Sequence, residues 1–310
     1  MSNPGAAPSL PAGVVVLERG WLSSNNILLV GNEATALVDS GYATHAEQTL
    51  ALVASALCGR ALDLLVNTHL HSDHCGGNAE LQRTYPGLRT MIPPGQAQEV
   101  MNWDAFALTY VPTGQQCEQF GFDDLLRPGI ELKLGHALWE VHAAPGHDPH
   151  SIVLFEPITR TLISADALWE RGFGVVFPEL EGCSGFDEVA QTLDLIESLS
   201  PCTVIPGHGS IFHDTTAALA IARSRLESFV RQPLKHARHA AKVLIKFKLL
   251  ELNEVELGEL VVWSERTAYL ETLRRTWYPD LTMGDWVGAL TDELVAGGAA
   301  TREGSRLANT

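Results

Sequence analysis

Residues 69–74 read His-Leu-His-Ser-Asp-His, three histidines and one aspartate within six positions. Imidazole nitrogens and carboxylate oxygens are ligands for borderline and hard divalent metals. One histidine or aspartate alone is more often an ordinary surface or turn residue, but four such side chains in so short a span make a poor core segment. Their convergence calls for a metal. On a helix, residues two apart point to nearly opposite sides. In extended chain His69, His71 and Asp73 share one side, and a turn returns His74 to them. The apolar run at 62–68 and the Gly76-Gly77 pair that follows place the cluster on a turn at the carboxyl end of a strand.

Three further candidates stand at the ends of later apolar runs. His147 follows the run 138–142 in Ala-Pro-Gly-His-Asp, Asp166 ends Leu-Ile-Ser-Ala-Asp, and His208 lies in Ile-Pro-Gly-His-Gly. The Pro-Gly before each histidine lets the backbone turn sharply and approach closely, as a ligand carried on a loop requires. Cys75 adjoins the first cluster, but a buried thiol is commonly structural and better ligands surround it.

This order resembles the metallo-β-lactamase-fold hydrolase superfamily: His-x-His-x-Asp-His, then Pro-Gly-His, an Asp at a strand end and Gly-His. The resemblance spans about residues 14–213. It implies an αββα sandwich, two mixed β-sheets face to face with helices outside, and metals at one edge of the sheets. It implies that His69, His71 and His147 hold one metal and that Asp73, His74 and His208 hold a second. Asp166 would bridge them, with Asp73 and Asp166 the catalytic carboxylates. Asp39, in Val-Asp-Ser-Gly, resembles a carboxylate that orients ligands from behind. Seven nitrogen and oxygen ligands without thiolate suit two divalent ions, zinc first, with manganese or iron as alternatives. Two such ions about 3.5–4 Å apart can share a water and lower its pKa, which makes hydroxide available at neutral pH. The expected reaction is hydrolysis.

True β-lactamases of the superfamily carry Cys or Ser where Asp166 stands, so lactam cleavage is not expected. The set with Asp resembles glyoxalase II-like thioesterases, lactonases and RNA-processing members. After His147 the chain departs from the glyoxalase II pattern His-Thr-x-Gly-His, since His147-Asp148-Pro149-His150 puts the second histidine one place early. His150 is then either a general acid near the metals or a surface turn residue. The reading is a metal-dependent hydrolase of a small ester or thioester. A phosphodiesterase acting on RNA, a lactonase and an iron-dependent redox protein are the alternatives.

The elements that position these residues alternate in type. Residues 14–17, 27–30 and 36–38 read as consecutive antiparallel strands, and 44–57 as a helix capped by Thr44. Further helices are expected at 78–85, 95–107 and 186–199, and strands at 90–92, 131–134, 138–142, 152–155 and 161–164. Beyond the sandwich, 217–230, 236–252, 267–276 and 283–295 carry helical patterns, broken at Gln232-Pro233 and at a Glu-rich turn over 250–258. Residues 214–310 are therefore expected to form a helical appendage, compatible with a winged helix. Arg231, Lys235, Arg238 and Lys242 recur at offsets of four, three and four. They share a helix face if Pro233 only kinks the chain, as a solvated surface or a cradle for an anionic substrate. Trp103, Phe106 and Tyr110, and the segment Phe173, Val175, Val176, Phe177, are core or pocket-lining.

Composition sets outer bounds. A formal charge of −16 with a pI near 5.1 opposes unselective binding to polyanions, so nucleic acid is a minority partner and a small molecule the principal one. Five dispersed cysteines read as reduced thiols. The segment 1–13, rich in Pro, Ala, Gly and Ser, reads as a flexible N-terminus without a signal peptide. With no run of about 18 apolar residues, a membrane span is not expected and a cytoplasmic protein is.

Overall fold

The computed structural model describes residues 10–310. A six-stranded sheet has the order β1 (Val14–Leu17), β2 (Asn26–Val30), β3 (Thr35–Val38), β4 (Leu64–Val66), β5 (Arg89–Ile92), β6 (Asp124–Leu125). Its first three strands pair antiparallel and the rest parallel. The second sheet runs from β7 (Glu131–Leu134) through β8 (Ala137–Ala143), β9 (Ile152–Glu156) and β10 (Thr161–Ala165) to β11 (Thr203–Pro206). Only its β10–β11 pair is parallel.

The central strands of both sheets are buried on both faces, as their continuous apolar runs require, with successive side chains pointing to opposite sides. Ile27 and Leu29 of β2 point into the space between the sheets and meet Trp139, Ile152 and Leu154 from the other side. Leu28, Leu37 and Leu65 point the opposite way, onto helices α1 (Ala46–Leu57) and α3 (Asn78–Thr84), which in the chain precede and follow the short α2 (Ser72–Cys75). The second sheet turns Val153, Phe155 and Leu162 outward, against α7 (Phe186–Leu199) and α8 (Thr215–Arg231). The layers are helix, sheet, sheet, helix. Between the two flanks come α4 (Ala97–Asn102), α5 (Tyr110–Thr113) and α6 (Phe177–Leu180).

The C-terminal segment builds its own core. Helices α9 (Pro233–Leu252), α10 (Leu257–Arg266), α11 (Ala268–Trp277) and α12 (Met283–Ala296) pack Leu244, Leu260, Leu270 and Trp286 together. A three-stranded antiparallel sheet of β12 (Glu254–Glu256), β13 (Ala300–Glu303) and β14 (Arg306–Asn309) closes it, with β14 in the middle.

Several local expectations are corrected. Thr44 is no cap, because it lies inside a 3-10 turn, Ala43–His45, and the α-helix begins at Ala46. Residues 95–107 are not one helix, since Trp103 adopts a left-handed conformation, φ 50°, that ends α4. Pro233 does not kink a continuous helix. Gln232 is non-helical, φ −137°, and Pro233 starts a new helix at the position where its missing N–H costs nothing. The turn expected at 250–258 holds β12 and the start of α10, and the terminal strands carry too few apolar residues to show a period. Of the segment 1–13, residues 1–9 lie outside the described residues. Residues 10–13 are tied down, with Leu10 against the inter-sheet core and the Gly13 carbonyl accepting from Val30 N–H at 2.8 Å.

Candidate active site

Strands β3, β4, β8, β10 and β11 all end at one edge of the sandwich. β3 and β4 are parallel, as are β10 and β11, while β8 lies two antiparallel steps from β10 and so runs with it. The residues that follow these strands are Asp39, the cluster at 69–74, His147, Asp166 and His208. Seven ligand-capable side chains converge because four of these strand ends do, and the fifth brings Asp39 behind them.

Three groups bring ligand atoms within 4.8 Å of one another: His69, His71 and His147; His69, His74 and Asp166; Asp73, His74 and His208. Nδ1 of His71 lies 2.8 Å from Nε2 of His147. Nε2 of His208 lies 3.2 Å from Oδ2 of Asp73. Asp166 stands between, with Oδ2 3.4 Å from His147 Nε2 and Oδ1 3.4 Å from His74 Nε2. Two buried Nε2 atoms of the cluster lack hydrogen-bond partners. Nε2 of His69 has no hydrogen bond, and Nε2 of His74 finds nothing nearer than that carboxylate. Orphaned buried nitrogens around two carboxylates fit divalent metal ions.

The electrostatics of His69, His71 and Asp166 suit that role. Burial, reinforced by the neighbouring imidazoles, holds His69 well below the usual histidine range and pushes His71 down to about 4. Both rings are thus neutral, as a ligand must be. Burial opposes charge on Asp166, but His208, His74 and His147 keep its carboxyl well below the ordinary range. Burial also opposes charge on His74, yet the Asp39 and Asp166 carboxylates hold it well above.

Groups behind the cluster fix two of its rings. Asp39 Oδ2 accepts from His74 Nδ1 at 2.7 Å, and its two oxygens also accept from Thr68 N–H and Oγ1, each at 2.8 Å. The Val175 carbonyl accepts from His147 Nδ1 at 2.5 Å. Two glycines are demanded by close approach: a Cβ at Gly207 would sit 2.3 Å from Asp166 Oδ1, and one at Gly174 would sit 2.4 Å from His147 Nδ1.

The site opens into a cavity of about 660 Å³. His71, Asp73, His147, Asp166 and His208 line its floor. Its wall is one face of α9, where His239, Lys242, Val243, Lys246, Phe247 and Leu250 recur at helical spacing. Among the four basic candidates, Lys242 alone lines the cavity. Arg231 pairs with Glu227, Lys235 donates to Ser228 Oγ at 2.7 Å, and Arg238 pairs with Glu293, all outside the cavity. The break at Gln232 separates Arg231 from the face of α9, so the expected common face does not form. His150 is in the turn after His147, its N–H donating to Asp148 Oδ1 at 2.7 Å and its ring against Gly95, away from the cavity. Cys75 is buried beside Tyr110 and joins none of the ligand groups. Val175 and Phe177 reach the cavity, while Phe173 and Val176 are core, and Trp103 and Tyr110 pack in a separate cluster.

Five contributors escaped sequence reading. Trp169 donates its indole N–H to Asp166 Oδ1 at 3.2 Å, a role its place three residues after a candidate ligand could have suggested. Trp21 stacks on His208 at 5.4 Å between ring centres, from a strand connection far away in sequence. Asp148 Oδ2 lies 3.8 Å from His71 Nε2, and Arg225 and Lys246 add cations to the cavity.

Comparison with known proteins agrees with this geometry. The sequence profile of the metallo-beta-lactamase superfamily matches residues 19–208. A hydroxyacylglutathione hydrolase from Brucella anthropi is 27% identical over 164 residues, 52% of this chain, and the match spans about half, 51%, of that protein. An acyl-coenzyme A thioesterase from Bos taurus is 25% identical over 228 residues, covering 67% of this chain and 82% of that one. A solved beta-lactamase domain protein from Burkholderia ambifaria superposes with a TM-score of 0.60 at 20% identity, over 99% of this chain and 96% of that one. A sandwich that gathers seven ligand-capable side chains at one edge, matched over the whole of that edge, makes this chain a metal-dependent hydrolase that belongs to the metallo-beta-lactamase superfamily.

Proposed function

We propose that the protein hydrolyses a thioester or ester whose leaving half carries negative charge, using two divalent ions, zinc in the first place. The observation that carries this reading is the placement of Asp166, whose two oxygens face His147 and His74 at 3.4 Å each. His69, His71 and His147 would hold one ion, Asp73, His74 and His208 the other, and Asp166 both. When bound, such ions supply Lewis acidity and lower the pKa of a water molecule.

The remaining work belongs to the chain. Asp39 and Val175 aim His74 and His147 through their Nδ1 atoms. Trp21 and Trp169 pack against His208 and Asp166 and screen that side from bulk water. Val243, Phe247, Leu250 and Phe177 give an apolar wall suited to an acyl group. Arg225, Lys242 and Lys246 bring positive charge to the same cavity in a chain of formal charge −16, with Lys242 also paired to Glu293 at 3.1 Å and Lys246 donating to the Ala299 carbonyl. Arg225 has no carboxylate partner among the described residues. The likeness to an acyl-coenzyme A thioesterase and a hydroxyacylglutathione hydrolase supports this class of substrate. We read residues 214–310 as a unit that, after α8 on the sandwich, is winged-helix-like, because a helix, a strand, three helices and a two-stranded hairpin follow in that order, and we assign it to substrate binding.

The test is turnover on protein of measured metal content, against acyl-coenzyme A, acylglutathione, lactone and oligoribonucleotide substrates. The thioesters should turn over fastest. Preferential cleavage of the oligoribonucleotide or of the lactone would replace this reading.

A further inference from the structure

The peptide group between Val175 and Val176 is engaged at both ends. Its carbonyl accepts from His147 Nδ1 at 2.5 Å, and its N–H donates to Nε2 of His236 at 3.2 Å. We propose that His236, carried by α9 of the C-terminal subdomain, is a positioning residue for the metal ligand His147 and acts on it through this single peptide group.

The hydrogen bonds leave each neutral ring only one tautomer. A carbonyl can only accept, so His147 carries a proton on Nδ1, and the neutral ring then presents a bare Nε2 to the site, where His71 Nδ1 and Asp166 Oδ2 lie at 2.8 and 3.4 Å. A backbone N–H can only donate, so His236 must be bare at Nε2 and protonated at Nδ1. The surroundings enforce this. His236 is 1% exposed, its ring held between Phe186 and Phe229 at 5.1 and 4.9 Å, and burial pushes it down to about 4, so the ring stays neutral.

Donation from the N–H polarises the peptide, which strengthens its carbonyl as an acceptor. A stronger acceptor at Nδ1 makes Nε2 of His147 a better ligand and holds its ring in plane. Without His236 the N–H of Val176, a residue 0% exposed, loses its partner, and the peptide must rotate or bear the cost. Rotation would disturb more than His147. Gly174 N–H donates to the Asp166 carbonyl at 2.9 Å, Val175 packs in the C-terminal core, and the Phe177 ring lies 5.2 Å from His71. Segment 172–177 is thus clamped between the ligands and the appended helices, and His236 supplies the polar end of the clamp.

The inference rests on His147 being a metal ligand, so the wild-type protein is titrated first with Zn(II) against a chelator of known affinity. Absence of zinc binding there overturns the metal assignment itself. Given binding, His236→Phe, which keeps a flat ring between Phe186 and Phe229 but removes the acceptor, should weaken zinc affinity by about tenfold. His236→Gln, whose carbonyl oxygen can accept, should recover most of it. The metal-free forms should unfold at similar denaturant concentrations. Equal affinity of His236→Phe and wild type overturns the proposal, as does equal loss in both variants. A weakened affinity that merely follows a fall in metal-free stability does so too. Should His236→Phe fail to fold, nitrogen-15 NMR of the wild-type imidazoles decides: a proton on Nδ1 and a bare Nε2 at His236 are required, and a proton on Nε2 refutes the bond.

Discussion

Oδ2 of Asp39 lies 2.7 Å from Nδ1 of His74, and the two side chains are almost wholly shut off from solvent. The carboxylate therefore determines which nitrogen of His74 faces the ligand cluster, and Thr68 braces it through two further hydrogen bonds. Asp39→Asn can present its amide N–H instead of an acceptor, which reverses the tautomer of His74. Metal affinity should fall by about 10- to 100-fold, measured by competition titration with a chelator. An unchanged affinity would show that the pair is only packing.

Asp166 is the group shared by the two halves of the site. Asp166→Ala should lower the metal content of purified protein from about two ions per chain toward one, because the three-histidine group at His69, His71 and His147 survives intact. Elemental analysis after dialysis reads this directly, and retention of both ions contradicts the bridging role. Chelation of the wild type should abolish turnover, with recovery on adding Zn(II).

The cavity wall separates two sets of cations. Lys242→Ala and Arg225→Ala should each raise KM for an anionic thioester severalfold with kcat largely kept, since such contacts are made alike in ground and transition states. Arg231→Ala and Lys235→Ala, outside the cavity and partnered by Glu227 and Ser228, should leave both constants as they are. A response to the second pair but not the first would move the substrate to another surface.

Acid sensitivity follows from His236. Its folded pKa, about 4, lies below the ordinary histidine value, so the unfolded chain binds the proton first as pH falls. Its contribution to stability is complete above about pH 6.5 and is lost progressively as pH falls toward 4, on the order of 3 kcal/mol for this one group. Denaturant midpoints of the metal-free protein at pH 7 and 4.5 measure the loss, which should shrink in His236→Gln. An equal loss in that variant would assign the sensitivity to other residues.

The candidate ligands were legible in the chain because metal chemistry allows few residue types and strand-end loops keep them in short motifs. His69, His71, Asp73 and His74 stand together in sequence, and Pro-Gly announces His147 and His208. The sandwich was legible for a similar reason, since strands such as β2 and β9 are short apolar runs bounded by turn residues. The supports were less so. Asp39 was marked by its Val-Asp-Ser-Gly segment, but Trp21 and Asp148 act by stacking or at ion-pair distance across loops, and nothing in their local sequence sets them apart from turn residues. The basic row failed as a common face because φ at one residue, Gln232, starts a new helix and turns Arg231 away from the axis that carries Lys242. His236 is the limiting case. Its helix pattern identifies it as inward-facing, but its partner is a backbone N–H sixty positions away, and only the packing of α9 against segment 172–177 brings the two together. Backbone groups are the same at every position, so a bond to one of them leaves no mark on the residue type that supplies it.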